Sequence, residues 1–472
     1  MEIGHHKGRG GGTGGGTGGG RGRGAAAGSP GHALWLSPHR PFFALAALWS
    51  VLALAWWHWG ARLNLPVPSL GTPTLWHAHE MIVGFGGACM AAFFLTAMPN
   101  WTGVRRMSGA PLMALVGIWV LARLALALGE ALPLAVVVAP GLAFYGLFGA
   151  TFARAVWQGR RGDRVFLPVV IVALGLADAV FIAAARGAIS WPDPAVMTRL
   201  LVLFFAIKVS VVAGGMTPAF TANWLRVAGV PGPAPGRREQ ATRLGLGLLL
   251  LALGLTLVGW PRVASGLLVA AGLVELWRLT GWRGIRARRY LPALMLHLAF
   301  GWLPLGLVLT GLAGLFATPW DEVDAIHALM MGAMGGLAMS IAGRAAARRE
   351  GALLRPGPAL VTAYGLTWGA AGLRLAAPMT GGGYALFLDL AAGAWCAGWG
   401  VFILGYLPAL RGAVPRPVFN ATEAGHGHGG GQGRGHGGGQ GHGGGHGGTG
   451  RCGAKGQGCG GRGRGRLVQI TT

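Results

Sequence analysis

The chain is 472 residues long, 53% hydrophobic and only 11% charged, with a mean hydropathy of +0.52. A soluble domain carries roughly 25% charged residues, so this composition excludes a soluble globular protein and points to surface that faces lipid. The formal net charge of +25 would suit a nucleic-acid binder, but the arginines fall mostly in short connections between apolar runs, and no binding motif accompanies them.

Residues 1–36 are Gly/Arg-rich, with His5 and His6, and are expected to be disordered because they have little apolar surface to bury. They lack the apolar stretch of a signal peptide, so the first span is expected to act as an uncleaved signal. The ordered part starts at Ser37-Pro38-His39-Arg40-Pro41-Phe42-Phe43. Apolar runs then predict spans at about 42–59, 76–98, 110–129, 133–157, 166–185, 198–218, 240–259, 262–279, 290–313, 323–342, 358–376 and 383–408. The predicted fold is all-α: a polytopic membrane domain of about twelve transmembrane helices over 37–410. Residues 411–472 form a second Gly-rich tail, with His426, His428, His436, His442, His446, Cys452 and Cys459. This tail reads either as a metal-collecting segment, since imidazole and thiolate suit copper, zinc and nickel, or as a neutral Gly expansion. The other two cysteines, Cys89 and Cys396, lie in apolar runs and read as small packing residues.

Loop charge sets the orientation, because cytoplasmic loops carry the Lys/Arg excess. The N-terminal segment and the connections after spans 2, 4, 6, 8 and 10 are Arg-rich, as in Arg105-Arg106 and Arg288-Arg289. The intervening connections are not, and the one after span 9 is acidic: Asp321, Glu322 and Asp324. A twelve-span count therefore alternates, with both termini cytoplasmic.

Ionisable groups at membrane depth are costly and mark candidate sites. The hexapeptide Trp76-His77-Ala78-His79-Glu80-Met81 opens the second span. On a regular helix, positions i and i+2 point about 200° apart, so His77 and His79 are expected to serve different partners. Glu80 is placed to fix the His77 tautomer from one turn away. His327 opens span 10 at the same outer depth, and His297 lies in span 9 about 10 Å from the inner end at ~1.5 Å per residue. One intramembrane histidine is as readily a polar contact between helices as a ligand. Four of them, three at matching depth, point to metal or haem ligation. Met330, Met331 and Met334 read first as packing and second as copper ligands. Asp178 and Lys208 lie mid-span; Lys208 is expected to meet a carboxylate, either on a neighbouring helix or on a haem propionate. The segment Gly214-Gly215-Met216-Thr217-Pro218 reads as the end of span 6, because Pro218 cannot donate a backbone hydrogen bond.

Several of these motifs resemble the NnrS family. They are Arg40-Pro41-Phe42-Phe43, Trp76-His77-Ala78-His79-Glu80-Met81, Pro99-Asn100-Trp101-Thr102-Gly103, Pro218-Ala219-Phe220-Thr221 with Asn223-Trp224, and His297 with Trp302-Leu303-Pro304-Leu305-Gly306. His327-Ala328-Leu329 with Gly332-Ala333-Met334-Gly335-Gly336 completes the set. The resemblance implies a twelve-span prokaryotic inner-membrane protein containing haem and copper and linked to the response to nitric oxide. It makes His77, His79, His297 and His327 the ligand candidates, with Glu80 beside them. The chain departs from the family pattern at Met216 and Ala222, where Arg is usual, and around Arg349, where a His is expected. Two other readings stay open. One is a transporter of a metal, haem or a small anion, although no internal repeat supports it. The other is a membrane oxidase subunit.

Overall fold

The computed structural model describes residues 30–419, so the two Gly-rich tails, with their candidate metal ligands from His426 to Cys459, lie outside the described residues. Twelve long helical segments run through the rest. They are α1 (His39–Trp59), α2 (Pro73–Thr102), α3 (Ala110–Ala127), α4 (Leu134–Gln158), α5 (Phe166–Ala185) and α6 (Pro194–Val227). The second half comprises α7 (Glu239–Leu257), α8 (Pro261–Thr280), α9 (Leu291–Leu315), α10 (Glu322–Ala346), α11 (Pro358–Ala376) and α12 (Tyr384–Tyr406). Eleven are long and apolar enough to cross a membrane. The twelfth, α11, has the length but carries Thr362, Thr367 and Arg374, and it packs along α12. The protein is a multi-pass helical membrane protein.

Helix starts follow local chemistry. Thr72, Asp193 and Asp321 cap α2, α6 and α10, accepting from Leu75 N (3.1 Å), Val196 N (2.8 Å) and Asp324 N (2.7 Å). Pro73 and Pro194 follow the first two caps, where a missing N–H costs nothing.

Two helices differ from the others. In α2 an α-helical turn (Pro73–His79) passes into a π-helical turn (Glu80–Phe85) before α-helix resumes at Gly86. In α10 the same sequence of forms occurs: Glu322–His327, then π-helix over Ala328–Gly335, then α-helix from Gly336. Their most apolar windows are 89% and 78% buried, against 28–50% in the other apolar helices. These two helices form the protein's interior, and the polar residues of their middle turns, such as His79, Glu80 and Ser340, are shielded from lipid.

The span-6 boundary differs from the sequence expectation. Helix α6 runs on through Pro218 to Val227, with Thr221 Oγ1 donating to Thr217 O (2.8 Å). Pro218 removes one backbone donor, but neighbouring helices pack around the exit and hold the helix together. A short hairpin, β1 (Arg348–Glu350) with β2 (Leu353–Arg355), also interrupts the all-α pattern between α10 and α11.

Contacts between loops sort them into two faces. On one, Arg40 Nη2 donates to the carbonyls of Arg411 and Gly412 (both 3.0 Å), Arg349 Nη2 to Pro417 O (3.0 Å) and Arg286 Nη1 to Pro233 O (2.8 Å). On the other, Gly71 N donates to Glu130 (2.6 Å), Arg199 pairs with Glu322, and Trp320 Nε1 donates to Leu375 O (2.7 Å). The Arg-rich connections thus gather on one face and the Arg-poor ones, including the acidic connection before α10, on the other, as the alternating loop charge predicts.

Candidate functional site

His79 sits at the last α-helical turn of α2 and is fully buried. Its Nε2 lies 2.5 Å from Asp178 Oδ1 on α5, and its Nδ1 3.0 Å from Glu80 Oε1. Carboxylate oxygens accept, so a doubly protonated ring donates to both. Glu80 also accepts from Trp49 Nε1 (2.6 Å) and from Arg123 Nη1 (2.9 and 3.0 Å). Two carboxylates, one imidazolium and one guanidinium sum to zero charge, which is how such a group survives without water. Two glycines leave room for it. A Cβ on Gly84 would stand 2.6 Å from Arg123 Nη1, and one on Gly141 would stand 2.5 Å from Asp178 Oδ2. In this arrangement neither His79 nitrogen is free. Glu80 meets His79, Trp49 and Arg123 and not His77 as expected, because those three groups supply the donors its buried carboxylate needs.

His77 points the other way, as the i, i+2 geometry requires. Its ring stacks on Trp57 (centroids 4.0 Å apart, 17° between planes), and its buried Nδ1 has no hydrogen-bond partner. The groups within electrostatic reach of it are His327, His58 and Arg374. His327 opens the π-helical turn of α10. Its Nδ1 lies 2.6 Å from Val323 O. A carbonyl can only accept, so Nδ1 carries the hydrogen, and a neutral ring keeps its lone pair on Nε2. Two ion-paired groups flank this histidine pair. His58 Nε2 and Arg62 Nη1 meet Asp389 Oδ1 at 2.6 and 2.8 Å, and Arg374 Nη1 meets Asp324 Oδ1 at 2.6 Å.

His297 lies elsewhere. It is near the Arg-rich end of α9, and the rest of that helix extends roughly 27 Å to the opposite face at ~1.5 Å per residue. The hydroxyl of Thr221 already donates to Thr217 O, so its contact with His297 Nε2 (2.9 Å) makes the histidine the donor. His297 Nδ1 then faces Gly284. The four histidines thus divide: His77 and His327 lie within electrostatic reach of each other, His79 belongs to a charge cluster, and His297 stands apart against Thr221 and Trp282. Among the described residues, no group of three or more His, Cys, Asp or Glu side chains is arranged to hold a metal ion.

Of the remaining candidates, Asp178 belongs to the His79 cluster. Lys208 has no carboxylate partner among the described residues, so the ion pair expected with a neighbouring helix does not form there. Met334 packs toward Gly86, as a core methionine does. Sequence reading missed His58, Arg123, Arg374 and Asp389. It also missed the buried group in which Ser210 Oγ donates to Glu275 Oε1 (2.6 Å) and Arg278 Nη1 meets Glu275 Oε2 (3.0 Å). Apart from Ser210, each of these is an ionisable residue inside an apolar run. That signal was available, and assigning arginines to loops hid it.

Enclosed histidines and compensated charges inside a many-helix bundle define a polytopic membrane protein with a polar interior site. The family model described as NnrS protein matches residues 33–413, and the chain belongs to the NnrS family. No curated protein matches it.

Proposed function

We propose that the protein is a haem- and copper-binding membrane protein of the response to nitric oxide, and that His77 and His327 are its ligand pair. The observation that carries this reading is the pair itself. Two imidazoles from the two most enclosed helices lie at one end of the bundle, each with a ring nitrogen uncommitted. Neutral imidazole is the common ligand of haem iron and of copper. The residues present fit ligation by two imidazoles, with Val323 fixing the His327 tautomer as a supporting partner should. His79 and His297 are the remaining ligand candidates; His79 reaches a metal only by giving up a carboxylate. A bound metal would supply a centre able to take up nitric oxide, a small neutral molecule that dissolves in lipid. This chain's own residues hold the two half-buried rings, one stacked on Trp57 and the other fixed by Val323, and place Arg374 within electrostatic reach of both. Burial of α2 and α10 supports a site inside the bundle, and the gathering of Arg-rich connections on one face supports a prokaryotic inner-membrane location with both termini cytoplasmic.

The test uses full-length protein made under haem- and copper-replete conditions and purified in detergent. Its visible spectrum and metal content are read before and after anaerobic addition of nitric oxide. The expected result is a Soret band with bound copper and a spectral shift on addition. A folded, monodisperse protein with no chromophore and no metal would overturn the reading.

A further inference from the structure

A second feature lies apart from the histidine pair, toward the Arg-rich face. There a cavity of about 1300 Å³ opens between the end of α2, α5, α6, α7 and the segment 416–419. Ligand pockets usually hold 300–1,000 Å³, so this one has room for an extended molecule. Its walls are apolar and aromatic, with Phe93, Phe94, Trp101, Phe166, Phe204 and Phe220 among them. Its ionisable residues are Lys208, Arg105, Arg106 and Arg416, all cationic. Lys208 lies mid-helix on α6, its Nζ 4.3 Å from the centre of the Phe205 ring, without a carboxylate among the described residues. A cation held at membrane depth without a counter-charge is costly. An acidic ligand in the cavity would supply that charge. The cavity also borders lipid-facing surface: Phe166, Val211 and Leu250 are 48%, 40% and 53% exposed. The segment 420–472 is a poor candidate for the occupant, because Glu423 is its only acidic side chain among many arginines and histidines.

We propose that this cavity binds an amphipathic anion that enters from the bilayer, an acyl chain carrying one acidic head. The chain lies along the aromatic wall, and the cations attract the head. Two sources share this chemistry, a free fatty acid and an acidic phospholipid. Full-length protein in neutral detergent, stripped of lipid, is titrated with oleate, methyl oleate, phosphatidylglycerol and phosphatidylcholine and read by native mass spectrometry.

The expected result is saturable binding of a charged probe and not of its neutral counterpart. Lys208→Gln should weaken that binding by about tenfold or more, since it removes a charge-assisted contact. Tighter binding of oleate assigns the site to a free acid, and tighter binding of phosphatidylglycerol to a membrane lipid. Ala97→Phe, which narrows the cavity without altering charge, should weaken either probe. Equal binding of charged and neutral probes, or an affinity unchanged by both substitutions, overturns the proposal. Loss of the histidine-bound cofactor would leave the proposal standing, because the two features share no residue.

Discussion

Glu80 accepts from Trp49, from Arg123 and from His79, and His79 in turn reaches Asp178. Removing one member leaves the others buried and uncompensated, which typically costs about 3–5 kcal/mol. Glu80→Ala should therefore lower stability by that order, measured as unfolding in detergent by a titrated denaturant. Gly141→Ala, which adds only a methyl group, should destabilise through Asp178, and the pair Gly141→Ala/Asp178→Ala should lose less than the two single changes summed. Full additivity would show that the methyl group acts elsewhere. At this scale the sequence was partly legible. Glu80 and Asp178 stand out as acids inside apolar runs, but their pairing with each other's neighbours depends on helices far apart in the chain. Arg123 is the clearest miss: its run, Trp119-Val120-Leu121-Ala122-Arg123, gives no sign of which helix it faces.

Each interior helix changes from α to π just after its histidine. A π-helical turn accommodates one extra residue, and such turns frequently sit at functional sites. Deleting Val83 from α2 should restore α-helical winding. It would rotate His77 and His79 by about 100° relative to the rest of the helix. The expected outcome is normal membrane insertion with loss of bound cofactor, checked by membrane fractionation and a visible spectrum. Retained cofactor would show that the π-helical turn does not aim the histidine. The turn could not have been read from the sequence. A helix buried on all sides has no apolar stripe against which a change of period would show. Span 6 misled for a related reason. Pro218 ends a helix that must satisfy its own backbone, whereas α6 continues because its surroundings are protein.

At the scale of the whole molecule, loop charge and helix count reinforce one another. The Arg-rich connections meet on one face and the Arg-poor ones on the other, so one missed span would have mixed the two sets. Labelling of single cysteines checks the orientation, in a background where Cys89, Cys396, Cys452 and Cys459 are all replaced by serine. Ser190→Cys, exposed on the acidic face, should react with a membrane-impermeant maleimide in intact cells. Ser108→Cys, exposed on the Arg-rich face, should react only after permeabilisation. The reverse pattern would invert the assigned topology. The fold was legible because apolar run length and loop charge are local quantities. The grouping of the histidines was not, since depth alone put His77, His79 and His327 together, and only packing separates His79 from the other two.

His77 and His327 form the proposed cofactor site, apart from His79 and His297. The most direct test is cofactor content per folded molecule in His77→Ala, His327→Ala, His79→Ala and His297→Ala, each purified as a monodisperse full-length protein. The first two should lose affinity for the same cofactor, by at least about a hundredfold, which loss of a supporting partner alone can cost. His79→Ala should lose stability before it loses cofactor, and His297→Ala should keep both. Loss of the cofactor in His297→Ala, with retention in His77→Ala and His327→Ala, would place the site at His297 instead.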